Sequence, residues 1–264
     1  MFRVEIGKSV HRLRTWVFAT GLAALAILPV VVLATSNDSG GGPLFFDLIK
    51  SNGLFAALTV IALIQPFFLP LGTSILSGEA VAAEASSGTL RYLVVRPVGR
   101  VRLIVTKYLA VMAQVGAAIA WVMAVALIAG AIAFGFGPLP TLSGTTLTVA
   151  QGVIRILGAA LYVLCGMAGL AAVGMFISTL TSSGVGAAGA TMAIAIASQI
   201  VDSLPAVRSI HPFLISHGWF AFSDLFRSPI DWGPMAHGLL LTAVYLTVFL
   251  GAAIAVFSRK DVVS

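Results

Sequence analysis

The sequence predicts an all-α polytopic membrane protein with six transmembrane helices, and three observations carry that expectation. First, 59% of its 264 residues are hydrophobic and only 9% are charged. A soluble domain is about half apolar and about a quarter charged, and its core cannot absorb such a surplus. Second, the apolar residues run continuously instead of alternating, which points to helices and away from a barrel. Third, the formal charge of +6 lies almost entirely between the apolar runs, as membrane topology requires and a nucleic-acid surface does not. The composition excludes a disordered, fibrous or disulfide-framed chain. Its single cysteine, Cys165, allows no internal disulfide.

The elements follow in order. In residues 2–14, Phe2, Ile6, Val10 and Leu13 fall on one helical face, with Glu5, Lys8 and Arg12 on another. That is the pattern of a helix lying on the membrane surface. A span takes ~20 largely apolar residues, and six are expected at 16–34, 53–76, 108–134, 153–177, 184–201 and 237–257. The first ends in Val32-Leu33-Ala34, which fits a cleavage pattern. Its apolar stretch is longer than the ~7–15 residues of a signal-peptide core, so an uncleaved helix is expected. The second carries Gln65-Pro66 and Pro70, and Pro66 should bend it by removing a backbone donor. Residues 202–236 contain Pro205, Pro212, Pro229 and Pro234 and are too apolar for a free loop (Phe213, Leu214, Ile215, Trp219, Phe220, Phe222). They are expected to fold back into the membrane as short broken helices, which needs protein or water to satisfy their backbone. Residues 36–42 read as a polar turn. The whole chain, 1–264, forms one transmembrane domain.

Orientation follows from charge. With the N-terminus inside, Arg3, Lys8, Arg12, Arg14, Arg91, Arg96, Arg100, Arg102, Lys107, Arg259 and Lys260 lie inside. Only Lys50, Arg155, Arg208 and Arg227 lie outside, with five of the nine acids (Asp38, Asp47, Asp202, Asp224, Asp231). The positive-inside rule therefore predicts both termini inside.

Catalytic signatures are missing. The sequence has no His-Glu-x-x-His and no Gly-x-Ser-x-Gly. No expected span carries an acid near its centre, as ion coupling would need. His211, His217 and Asp224 can meet around a metal or stand as interfacial polar side chains. The second reading is preferred, so no metal is expected. Gly7-Lys8-Ser9 matches the end of a phosphate-binding loop, but Phe2 stands where its first glycine belongs and no strand precedes it.

The inner segment 77–107 is the most informative. The second span should continue as a helix through Glu84, stop at Gly88, and give way to a short helix capped by Thr89. Pro97 and Gly99 then turn the chain toward the third span. Glu84 is expected to pair with a nearby arginine, Arg91, Arg96 or Arg100, as an exposed ion pair worth ~0–1 kcal/mol. A projecting helix between two stiff extensions can transmit a push, and a solvated hairpin that only sets topology is the other reading.

Glu84-x-x-x-Gly88-Thr89-Leu90, followed by Leu93, Arg96-Pro97, Arg100 and Lys107, resembles the signature of ABC-2 type transporter permeases. Phe257-Ser258-Arg259-Lys260-Asp261 and the stretch from His211-Pro212-Phe213-Leu214 to Asp231-Trp232 are similar to that family as well. The resemblance implies a membrane subunit of an ATP-driven exporter in the cell membrane, that of a prokaryote. Two permeases, alike or unlike, would pair there among membrane lipid, each binding a cytosolic ATP-binding cassette subunit. A coupling helix at 88–95, with Arg91 on it, would sit in the ATPase groove. ATP and Mg would bind the partner, and this chain would hold no cofactor, touch no nucleic acid and be no enzyme itself. The substrate would be hydrophobic or amphipathic: a drug, lipid, peptide or glycan.

Gln65, Pro66, Phe67 and Phe68 sit midway down the second span, and two readings of Gln65 are open. Either it lines the substrate route with Phe67 and Phe68, or it bonds carbonyls freed by its own kink. Met192 and Gln199 of the fifth span would reach the same cavity if the family's arrangement holds. Cys165, Gly158, Gly166 and Gly174 read as packing, and Gly186/Ala190 and Gly189/Ala193/Ala197 as small-residue faces for close helix approach. The rival functions are an ion-coupled secondary transporter or channel, and a membrane-embedded enzyme or assembly protein.

Overall fold

A computed structural model of the chain describes residues 13–35, 52–86, 99–141 and 143–259. The expected surface helix lies outside them but for Leu13 and Arg14, as do the 36–42 turn and the 87–98 part of the inner segment. The described chain is helical almost throughout: α1 Leu13–Thr35, α2 Leu54–Ile64, α3 Phe68–Ser86, α4 Arg100–Phe134, α5 Val149–Leu180, α6 Gly184–Asp202 and α7 Gly233–Arg259. A two-residue hairpin, β1 Leu139–Pro140 with β2 Thr146–Leu147, joins α4 to α5, pairing Leu139 with Leu147. Two 3-10 segments, Pro205–Phe213 and Ala221–Phe226, lie between α6 and α7.

Five of these helices are long and apolar enough to cross a membrane, and six if α2 and α3 count as one span. The protein is thus an all-α polytopic membrane protein. The bend between α2 and α3, 58°, falls at the residues Gln65–Phe67, where Pro66 interrupts the ladder as expected.

Local signals set the helix ends. Thr148 and Gln151 form a reciprocal capping box that starts α5, with Gln151 N–H to Thr148 Oγ1 at 3.3 Å and Thr148 N–H to Gln151 Oε1 at 3.0 Å. Ser183 accepts from Gly186 N–H at 3.0 Å to start α6. Gly135, at φ +70°, ends α4.

The core forms around α2, where every residue from Leu54 to Ala62 is buried. Gly53 and Gly130 let α2 and α4 meet backbone to backbone, since a Cβ on either would run into the other. Asn52 caps this end, its Oδ1 accepting from Leu54 N–H at 3.0 Å and its Nδ2 donating to Gly137 O at 2.6 Å. By contrast α7 presents most of its surface outward, which suits a lipid-facing helix.

Candidate functional site

The predicted coupling residues divide sharply. Gly88, Thr89, Leu90, Arg91, Leu93, Arg96 and Pro97 lie outside the described residues, whereas Glu84, Arg100 and Lys107 are held in defined contacts. Lys107 Nζ lies 2.7 Å from Glu84 Oε1, with side-chain exposures of 5% and 18%. This ion pair links α3 to α4 and is largely out of water, while Arg91 and Arg96, two of the arginines expected near Glu84, lie outside the described residues. It ties together the two helices that flank 87–98. Arg100 Nη1 donates to Ser258 O at 2.8 Å, joining the start of α4 to the end of α7.

Below this pair α3 is clamped by α5 and α6. Ser178 Oγ accepts from Val81 N–H at 3.0 Å and Ala82 N–H at 2.9 Å, and donates to Gly78 O at 2.6 Å. A hydroxyl can reach three backbone groups of a neighbouring helix only if the two backbones approach closely. Gly174 provides that on α5, where a Cβ would collide with Ser77 Oγ. Gly78 provides it toward α6, where a Cβ would lie 2.5 Å from Ala188 N. Sequence reasoning did not single out Ser178. The signal was a hydroxyl one helical turn beyond Gly174 in an otherwise apolar run.

At the bend, Gln65 is fully buried, and its Nε2 donates to Trp219 O at 3.2 Å. The Pro66 carbonyl instead accepts from Gln199 Nε2 at 2.9 Å. One carbonyl at the bend is therefore satisfied by α6, and Gln65 reaches across to the segment after α6. The void beside Gln65, lined also by Tyr162, Gly166, Gly218, Trp219 and Thr242, measures about 10 Å³, room for one water at most. Gln65 Oε1 and Trp219 Nε1 find no protein partner there. Phe68 packs edge-on against Phe67 at 5.3 Å, with Phe67 47% exposed on the outer surface, and Met192 is buried in α6. Gln65, Pro66 and Gln199 thus meet, while Phe67 points away. Gly189, Ala193 and Ala197 are exposed, and among the described residues nothing lies within 4 Å of a Cβ built on Gly189. Gly158, Gly166 and Gly174 do pack, against Leu225, Trp219 and Ser77.

The segment 203–232 folds as short broken helices, as expected, and protein side chains satisfy much of its backbone. Tyr162 Oη donates to Gly218 O at 2.7 Å, Tyr245 Oη to Phe213 O at 3.0 Å, and Arg155 Nη1 to Leu225 O at 2.7 Å. Ile215, Trp219, Phe222 and Phe226 turn inward, while Phe213 and Phe220 turn outward. His211, His217 and Asp224, the trio set aside in the sequence as a less favoured metal reading, do not assemble. Asp224 Oδ1 pairs with Arg227 Nε at 2.8 Å, and Asp202 takes its place beside the two histidines.

A wider cleft of about 390 Å³ opens between α4 and α5, lined by Gly116, Ile119, Ala120, Met123, Ala124, Ala160 and Leu164 among other apolar residues. The four-residue spacing of Gly116, Ala120 and Ala124 leaves a groove along α4 that larger side chains would close. The family model described as "Protein of unknown function (DUF2705)" matches residues 25–263. No curated protein matches the chain.

Proposed function

The chain belongs to the DUF2705 family, and we propose that it is the permease subunit of an ATP-driven ABC-2 type exporter. One observation carries this reading. The segment 87–98, which holds most of the sequence signature, is flanked by α3 and α4, and these are joined by the largely buried Glu84–Lys107 pair. Two helices fixed to one another make a stiff mount for an element that must convey motion. Ser178 clamps α3 to α5, so a displacement of that mount reaches the bundle. The apolar cleft between α4 and α5 suits the tail of a hydrophobic or amphipathic substrate.

In this reading the chain crosses the cell membrane six times with both termini inside. Residues 2–14 lie on the inner leaflet, 88–95 form the coupling helix, and 203–232 fold back into the outer leaflet. ATP and Mg bind a separate ATPase. The partners are two such ATPase subunits, a second permease and lipid.

The test is biochemical. The purified chain alone should hydrolyse no ATP, and co-expression with an ATP-binding cassette ATPase subunit from the same organism should give a stable complex that depends on residues 84–100. ATP turnover by this chain alone, or a complex indifferent to deletion of 88–95, would overturn the reading.

Orientation is tested separately. In a Cys165→Ala background, Ser86→Cys and Ser209→Cys both place thiols at exposed positions. An impermeant thiol reagent should label the first only from the cytosolic side and the second only from outside. Reversed labelling would remove 87–98 from reach of a cytosolic partner.

A further inference from the structure

We propose that Asp202, His211 and His217 form a site for one divalent transition-metal ion of the zinc class at the C-terminal end of α6. The three residues come from different pieces of chain: the last residue of α6, the first 3-10 segment and the turn after it. One ligand atom from each lies within 4.8 Å of the others. His217 Nδ1 is 2.7 Å from Asp202 Oδ1, and His211 Nδ1 is 3.7 Å from the same oxygen.

The hydrogen bonds of His211 supply an independent pointer. Its Nε2 lies 3.1 Å from Leu204 O. A carbonyl can only accept, so the hydrogen is on Nε2 and Nδ1 faces the carboxylate. A ring nitrogen oriented by a backbone carbonyl on its far side is the usual support of a metal-binding histidine. In the single-hydrogen tautomer, two electron-rich atoms then face each other at 3.7 Å, and a cation between them removes the repulsion. The end of α6 adds to the pull, because the C-terminus of a helix carries partial negative charge.

The dimensions fit after small side-chain shifts. With metal–ligand bonds of about 2.0–2.1 Å in a tetrahedral site, neighbouring ligand atoms stand about 3.3 Å apart. The His211 contact must close by a few tenths of an ångström and the His217 contact must open by somewhat more. His217 is 38% exposed and free to turn. In the metal-free arrangement the His217–Asp202 contact is a hydrogen bond. On binding through Nδ1, the hydrogen of a neutral His217 ring moves to Nε2, which solvent can reach. Two imidazoles and one carboxylate suit zinc, copper or nickel over magnesium or calcium. Three protein ligands leave a fourth position for water. The consequence is mechanical: the ion fastens residues 205–217 to the end of α6. His237, whose Nε2 contacts Pro212 O at 2.9 Å, stands next to the site without joining it.

The experiment uses the full chain without a histidine tag, purified in detergent and stripped with a chelator. Equilibrium dialysis should find one zinc per chain, unaffected by excess magnesium, and cobalt in its place should give the visible absorption of a nitrogen- and oxygen-ligated site. His211→Gln, His217→Gln and Asp202→Asn should each weaken zinc binding by at least about tenfold, while His237→Gln leaves it unchanged. His217 is exposed, so its variant decides the matter should either of the others fail to fold. Absence of stoichiometric zinc in the wild type, or undiminished binding by His217→Gln, would overturn the proposal. Neither result bears on whether the chain partners an ATPase.

Discussion

Gly78→Val should leave little folded protein, and Gly78→Ala should already lower the unfolding midpoint in detergent markedly. A Cβ at position 78 would stand 2.5 Å from Ala188 N and 2.7 Å from Ala188 Cα. Those are backbone atoms, so no rotamer change relieves the collision and α3 must move away from α6. Moving it also disturbs the contacts of Ser178 with Gly78, Val81 and Ala82 on α3. Overpacking a well-packed site costs about 1–3 kcal/mol and occasionally more. Losing the three-way hydroxyl contact adds about 1 kcal/mol or more. Within a membrane no hydrophobic gain between helices offsets this, because association there rests on van der Waals fit and interhelical hydrogen bonds. Gly174→Ala should also destabilise, since its Cβ would meet not only the rotatable Ser77 Oγ but Ser77 Cβ at 2.8 Å, which cannot rotate away. Gly21→Ala, with nothing within 4 Å of its Cβ, should be neutral or slightly stabilising. The comparison is read from thermal unfolding of the purified variants. Equal midpoints for Gly78→Ala and Gly21→Ala would mean that α3 and α6 do not approach as described.

What the sequence made legible is what depends on neighbours along the chain. Apolar runs located the helices, Pro66 located the bend, and the prolines of 205–234 announced broken helices. Thr148-x-x-Gln151 was not singled out by sequence reasoning, although it is a local capping-box pattern that starts α5 four residues before the hydropathic start at 153. Partner choice was not legible, because it depends on how helices rotate against each other. Glu84 pairs with Lys107, though arginines stand closer in sequence. Gln65 reaches Trp219, and Gln199 takes the Pro66 carbonyl, an exchange that no local pattern encodes. Asp202 joins the histidines in place of Asp224 because α6 ends beside them, while Asp224 meets Arg227 one turn away in its own segment. Small residues were legible only in part: Gly174 packs as its sequence suggested, whereas among the described residues Gly78, not Gly186 or Gly189, carries the close approach between α3 and α6.

The Glu84–Lys107 pair should behave as a buried unit, and its disruption should separate folding from transmission. An exposed ion pair costs almost nothing to lose. Lys107 is 4% exposed, so removing the Glu84 carboxylate leaves the ammonium poorly solvated between α3 and α4, at a cost of about 3 kcal/mol. Glu84→Gln and Lys107→Met should therefore each lower the unfolding midpoint, and the double variant should recover much of the loss. A coupling of at least about 1 kcal/mol in this cycle is expected, because the two groups touch. Glu84→Arg, which sets two cations together, should be the most damaging of the set. The recovered double variant is the useful one. It keeps the helices but replaces a directional ionic tie with a looser apolar contact. Reconstituted with the ATPase, it should assemble and hydrolyse ATP near the wild-type rate while transport falls several-fold. A rigid mount matters for conveying motion in a way that it does not for holding the fold. Parallel loss of assembly and transport would make the pair a docking element, and full transport by the double variant would show that its stiffness contributes nothing to coupling.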